Sequence, residues 1–472
     1  MSAAARSRGE EPSINQRGAP GSALPSSDRA LVLSPTWVAC FDSRRLNAFH
    51  RGGTLHLVLG DAAPAIERAH AELVDRLRRE GDGPLTPSEA ERFTRDDAGG
   101  LRLRDDLYFA ATPSILDEDL AVLLYRRDGG RELRVKVGAD GLAFFRTLLP
   151  LLRADVPREA LAAAVGAAAW RMVERLVSEG VLVDVPWAPS VAVNAPTVQL
   201  VAHSAIDLQT ASAHALIDPM LVVRARPAFD PLSVLQRRLD AVLITHAHWD
   251  HFNLDGLLYV PREARVVLPR RDHAASIVNA DMAPVVRELG FSDVTALGAW
   301  ESTTVGDLTL TAVPYFGEGF GPECPRDWMT WHAQVGARSV LGLVDAIRDD
   351  FGDMDAVVAE VRRRLGPVDT LFAPSSGFEY PVAHFTRRPF WVSDARELFT
   401  GGPADVVRWA GLCEARRVVP YALFHTGADD VDHDALAVAS DPFRTGGIAE
   451  LATRLRLAPD GPLVVARPGE LV

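Results

Sequence analysis

The sequence predicts an α/β protein in two parts, an N-terminal α+β region and a larger domain of interleaved strands and helices. Three observations carry this. From about Val191 onward, short runs rich in Val, Leu and Ile recur between helical stretches, the pattern of buried strands in an α/β fold. One such run, Ala241–Ile244, leads through Thr245 into His246, His248, Asp250 and His251, so metal-ligand residue types cluster where a strand leaves its sheet. The residues before 191 follow a different order and end in one strand, three short helices and a closing strand.

With 472 residues the chain is long enough for two or three domains. Its 47% hydrophobic and 24% charged residues are ordinary for a globular protein. A net charge of −13 argues against a nucleic-acid partner, which needs a basic patch. The three cysteines, Cys40, Cys324 and Cys413, are far apart and form no CxxC pair. Neither a disulfide framework nor a thiolate metal site is expected, and the setting expected is a reducing cytoplasm. Residues 1–28 lack the apolar core of a secretion signal and read as a disordered leader. No run of 18 apolar residues occurs, so no membrane-spanning helix is expected.

Residues 29–190 read as the N-terminal α+β domain. "LVLSPTWVACF" and "TLHLVLG" are strand-like, and a helical run covers 65–79. "GDGPLTPSEAERF" supplies a loop and a helix start, with Pro87 near the first turn and Glu89 and Glu91 after it. "ELRVKVG" alternates like a strand. "GLAFFRTLLPLL", "REALAAAV" and "AAWRMVERLVSEG" then predict three short helices, the last closed by Gly180, and "VLVDV" a final strand. This order, over about 131–186, resembles a winged-helix unit. Modules of this kind bind a peptide or carrier partner, or pack against a neighbouring domain or subunit.

Residues 191–472 read as the catalytic domain. "TVQLVAHSAI" and "HALIDPM" are strands with a turn at Asp218-Pro219; "AVLIT", "RVVLP", "LTLTAVP", "SVLGLVD" and "DTLFAP" are further strands. Helices are expected at Leu254–Tyr259, at Ala275–Leu289 with an interruption at Pro284, and at Met354–Leu365.

His246 and His248 are two apart, so in an extended loop they project to one side and grip one cation, while Asp250 and His251 project elsewhere and grip a second. Thr245 is placed to support the loop by side-chain hydrogen bonds. HxHxDH is a signature of the metallo-β-lactamase superfamily, and the stretch from about Pro196 to Leu455 resembles that superfamily through "LIDPM", the HAHWDH loop, "VLGLVDA" and "VVPYALFHTG". The resemblance implies an αββα sandwich with a dinuclear site at one edge of the sheets. It implies that Asp345 bridges both metals and that His425 completes the second. The histidine such proteins usually carry after the strand before the bridging aspartate is missing here. "LTLTAVP" is followed by "YFGEGFGPECP", and His332 lies further on, at the opening of the next strand. The candidate in the right loop is Glu318, flanked by Gly317 and Gly319, with Glu323 as the alternative.

The inferred first site is then His246, His248, Glu318 and Asp345, and the second Asp250, His251, His425 and Asp345. A set this rich in carboxylates leans toward iron or manganese. The glutamate variant, 72 residues after His246 and 27 before Asp345, resembles the diiron β-hydroxylases of antibiotic biosynthesis. That resemblance implies a nonheme diiron oxygenase, with Glu318 and Asp345 central to reactivity. It implies two Fe ions, O2 as co-substrate, an external electron donor, and an amino acid or peptide held on a carrier protein. No flavin or NAD motif appears. The competing readings are a dinuclear Zn or Mn hydrolase of an ester, lactone, amide or phosphodiester, and a binding protein with structural metal. The expected partners are a carrier protein or peptide-bound substrate, an electron-donor protein and a second copy of the chain. His203 is a candidate for orienting a ligand or a core histidine. The aromatic stretch holding His384, Arg387 and Arg388 is read as an entrance or a packed loop, and Trp328 and Trp331 as core.

Overall fold

The computed structural model describes every residue except 1–27, 42–62, 82, 96–100, 104–120, 128–131, 137–138, 191–192, 223–228, 249, 274–280, 318–326, 350, 375, 382–395, 422–443, 456–462 and 467–468. The expected strand at 54–60, the loop with Glu318 and Glu323, the stretch with His384, Arg387 and Arg388, and His425 lie outside the described residues.

Two six-stranded sheets face each other. The first is built from β8 (Thr197–Ala202), β9 (Ala205–Gln209), β10 (His214–Ile217), β11 (Ala241–Leu243), β12 (Arg265–Pro269) and β13 (Val294–Leu297), in the order β13-β12-β11-β10-β9-β8. The second takes β14 (Ser302–Val305), β15 (Leu308–Pro314), β16 (Met329–Val335), β17 (Arg338–Gly342), β18 (Thr370–Pro374) and β21 (Arg417–Tyr421), in the order β14-β15-β16-β17-β18-β21. Each sheet is part antiparallel and part parallel: β10 to β13 run parallel, as do β17, β18 and β21.

The two-residue period of a strand sorts the side chains into three layers. Ala241 and Leu243 of β11 face the core between the sheets, with Phe372 and Val340 from the opposing sheet; Val242 faces outward. Leu371 and Ala373 meet the outer helices α8 (Met354–Leu365), α9 (Pro403–Leu412) and α10 (Ile448–Leu455). α8 shows why these segments are helical. Met354, Val357, Val358 and Val361 form one apolar stripe, Asp353 caps its start by accepting from Asp355 N–H, and Gly366 ends it at φ 93°. The other outer face carries α6 (Leu254–Leu257) and α7 (Met282–Glu288). Pro284 does not interrupt α7. It lies in the first turn, where the missing N–H would have no helical partner, behind the cap Asp281.

The N-terminal elements are β1 (Arg29–Leu33), β2 (Trp37–Phe41), α1 (Ala63–Glu80), α2 (Pro87–Ala90), β3 (Phe93–Arg95), β4 (Leu101–Leu103), β5 (Ala121–Arg126), β6 (Glu132–Lys136), α3 (Ala139–Leu148), α4 (Arg158–Val165), α5 (Ala167–Ser178) and β7 (Leu182–Pro186). The three helices and the closing strand appear as expected, but β6 and β7 do not pair with each other. β6 pairs with β5, which in turn pairs with β2, whereas β7 joins β1, a strand about 150 residues before it. Its core is continuous with that of the sandwich: Leu31, Phe41, Phe145 and Leu176 share one cluster with Leu216, Val242, Leu257 and Val286. Tyr259 Oη accepts from Ala39 N–H at 2.6 Å, Asp255 accepts from Phe41 N–H at 2.6 Å, and Arg127 pairs with Asp230 at 3.0 Å. The remaining elements are β19 (Ser376–Pro381), β20 (Arg396–Thr400) and β22 (Arg444–Gly446), which form a three-stranded sheet beside the second main sheet. Among the described residues no helix is long and apolar enough to cross a membrane.

Candidate metal centre

The HxHxDH loop begins where β11 ends, and its neighbours hold it at several points. Asp218, just past β10, sits alongside because β10 and β11 are parallel neighbours; its N–H donates to Leu243 O at 2.9 Å. Its carboxylate is fully buried and accepts three hydrogen bonds. Thr245 N–H donates to Oδ1 at 2.8 Å, Thr245 Oγ1 to Oδ2 at 2.7 Å, and His251 Nδ1 to Oδ2 at 2.8 Å. Thr245 Oγ1 also lies 2.9 Å from His246 Nδ1. One carboxylate thus anchors both ends of the loop, and His251 keeps Nε2 for the site.

Nε2 of His251 faces two more carboxylates, Asp345 Oδ2 at 3.2 Å and Asp250 Oδ2 at 3.9 Å. Asp345 follows β17, after Val344 at φ 46°, a conformation β-branched residues rarely adopt. Tyr421, at the end of β21, accepts a short hydrogen bond from Val344 N–H and so holds that turn. Burial and the charges of Asp218 and Asp345 push the Tyr421 hydroxyl well above the usual tyrosine range, which keeps it neutral. On the other side of the loop, Trp328 lies 4.9 Å from the His246 ring and 5.0 Å from that of His248. Tyr315 stacks on Trp328 at 5.4 Å. These two buried aromatics form a dry wall behind the two histidines.

The site attracts positive charge. Burial alone would lower the pKa of His251, yet Asp250 and Asp218, with the hydrogen bonds to Asp218 and Asp345, raise it well above the ordinary histidine value. A cation, whether proton or metal, is what these carboxylates favour at this point. Among the described residues, two trios have their possible ligand atoms within 4.8 Å of one another, namely His246, His251 and Asp345, and His203, Asp250 and His251.

Of the seven residues expected to bind metal, five are described, and all five are gathered at this loop. His246, His251 and Asp345 form one trio, and Asp250 joins His251 in the other. The His248 ring stands 4.6 Å from that of His246. Gly317, next to Glu318, runs directly against the Asp345 turn: a Cβ on it would lie 2.8 Å from Asp345 O. His332 is the fourth of seven residues in β16, buried at mid-strand and remote from the strand's opening. Trp331 and Trp328 are both core residues, as expected, and Trp328 in addition backs the histidines. Asp218 and Tyr421 lie in the "LIDPM" and "VVPYALFHTG" stretches, but the sequence assigned neither a role at the site. The available signal was a charged residue ending the apolar run "HALID", which needs a buried partner.

The fold and this cluster define a metallo-β-lactamase-fold protein, and residues 214–421 match the family model described as a beta-lactamase superfamily domain. The chain resembles hydroxylases of Streptomyces venezuelae in both sequence and structure. It is 32% identical over 190 residues to the 4-amino-L-phenylalanyl-[CmlP-peptidyl-carrier-protein] 3-hydroxylase of Streptomyces venezuelae, an alignment spanning 39% of this chain and 35% of that relative. The crystal structure of CmlA, a diiron beta-hydroxylase from Streptomyces venezuelae, superposes with a TM-score of 0.61 at 17% identity, covering 95% of this chain and 100% of that one. A mutant form of the CmlA beta-hydroxylase superposes with a TM-score of 0.53 at 19% identity, covering 88% and 99%. At these identities the structural likeness establishes the shared fold.

Proposed function

We propose that this chain is a nonheme diiron oxygenase that hydroxylates an amino acid or peptide held on a carrier protein. The observation that supports it most is the buried convergence of Asp345, Asp250 and Asp218 on His251, within a fold that matches a diiron hydroxylase along nearly the whole chain. The donors fit iron. They are imidazoles and carboxylates without thiolate, and the oxygen share suits a hard, redox-active ion. His246, His248 and Glu318 would hold one ion and Asp250, His251 and His425 the other, with Asp345 contributing to both. Bound iron supplies the activation of O2. Converting C–H to C–OH with release of one water also takes two electrons and two protons, for which an external electron-donor protein is the partner.

The chain's own residues set the conditions. Asp218 and Thr245 fix the ring orientations of His251 and His246. Tyr315 and Trp328, each 3% exposed, keep water from one side of the histidines. Glu318 and Asp345 supply carboxylate charge, which favours the higher oxidation states of iron. The test is elemental analysis of protein purified without added metal, with an optical spectrum of the same sample. About two irons per chain with near-ultraviolet oxo-to-iron bands is expected. Hydroxylation of a carrier-bound aminoacyl thioester, and not of the free amino acid, then identifies the substrate class. Zinc alone, with no iron uptake on anaerobic loading, overturns the proposal in favour of a dinuclear hydrolase.

A further inference from the structure

We propose that His203 is a positioning residue for Asp250, so that the β8–β9 hairpin turn sets the affinity of the second metal subsite. β8 and β9 are joined by only His203 and Ser204, with Ala202 paired to Ala205. Both turn residues reach the metal loop, 46 to 47 residues away in sequence. His203 Nε2 lies 3.1 Å from Asp250 Oδ2, and Ser204 Oγ donates to Asp250 O at 2.7 Å. Asp250 is therefore held at its carboxylate and at its main chain by adjacent residues of one turn.

The turn's composition runs against its geometry. His203 has φ 29°, and the central positions of two-residue hairpins favour Gly, Asn or Asp. An imidazole retained there, with its side chain 4% exposed, points to a task for the ring, since the backbone alone would be better served by glycine. The ring contacts Oδ2 of Asp250, the oxygen that also lies 3.9 Å from His251 Nε2, and so fixes the carboxylate beside that nitrogen. The ring centroids of His203 and His251 are 6.0 Å apart, so the turn, Asp250 and His251 make one side of the site. Carboxylate ligands held by such neighbours bind metal roughly 10- to 100-fold more tightly than unsupported ones.

The inference rests on the metal-binding part of the proposed function, and the test separates the two. Wild-type protein, His203→Gly and His203→Gln are titrated anaerobically with Fe(II) against a competing chelator, and their melting temperatures are recorded without metal. His203→Gly removes the ring while relaxing the turn. It is expected to fold with an unchanged or higher melting temperature, to keep its first equivalent, and to bind the second roughly 10- to 100-fold more weakly. His203→Gln keeps an N–H donor at about the reach of Nε2 and is expected to retain most of that affinity. Equal second-site affinity in wild type and His203→Gly overturns the inference, as does a glutamine variant no better than glycine. If the glycine variant does not fold, His203→Asn replaces it, since asparagine accepts positive φ but stops short of Asp250. Weakened second-site binding in that variant supports the inference, and wild-type binding overturns it. A wild-type chain that binds fewer than two equivalents overturns the metal reading itself.

Discussion

Nδ1 of His251 lies 2.8 Å from Asp218 Oδ2, and both side chains are buried. The pair joins the end of one strand to the loop after its neighbour, and it settles which ring nitrogen of His251 faces the site. Replacing Asp218 by Asn keeps the shape and accommodates φ 46°, but it removes the buried charge and turns one of two accepting oxygens into an NH2 that faces a donor. Metal affinity is expected to fall roughly 10- to 100-fold, read by titration against a chelator. Wild-type affinity in Asp218→Asn would show that the contact does not orient the ligand.

Glu318 is tested by two substitutions. Glu318→Ala is expected to lower metal occupancy and to reduce turnover by about 10-fold or more. Glu318→His returns a donor, so metal content recovers; turnover that stays low shows that the carboxylate is needed. Full occupancy and full activity in Glu318→Ala would remove Glu318 from the ligand set.

Gly256 is a fold-level control on the same site. In α6 its Cα sits under the main chain of Pro219, and an added Cβ would lie 1.7 Å from Pro219 O. Backbone on both sides cannot give way cheaply. Gly256→Ala is expected to destabilise the protein by about 1–3 kcal/mol or more and, by displacing Pro219, to disturb Asp218 beside it. Thermal melting with metal titration measures both, and an unchanged melt would contradict the packing described.

His332 predicts an acid sensitivity. Burial lowers its pKa from 6.5 to about 4. Between these values the unfolded chain binds a proton that the folded chain does not, so stability falls as pH drops through the window. The loss amounts to something on the order of 3 kcal/mol by the lower end. His332→Leu is expected to flatten denaturant midpoints measured from pH 6.5 to 4. The same slope in the variant would assign the sensitivity to other groups.

Much of the site was legible because its signals are local. His246 to His251 are contiguous and follow an apolar strand, and Asp345 ends another such run, so ligand type and strand end can be read together. The stripe at Met354, Val357, Val358 and Val361 defined α8 to the residue. The partners of β6 and β7 were not legible, because short alternating strands carry no mark of which strand they will join. Trp328 is core as its sequence setting predicts, but its place behind His246 and His248 was not legible, because burial alone does not say which residues a core tryptophan touches.

The sequence by itself determined the layered α/β order and the histidine and aspartate loop at a strand end, both carried by residue type and spacing over a few positions. Tertiary structure alone decided that Asp218 would hold His251 and that His203 would meet Asp250. It also decided that the N-terminal elements would share their core with the sandwich. The physical reason is that these contacts join residues far apart along the chain. Sheet order and register bring them together, and no single segment encodes either.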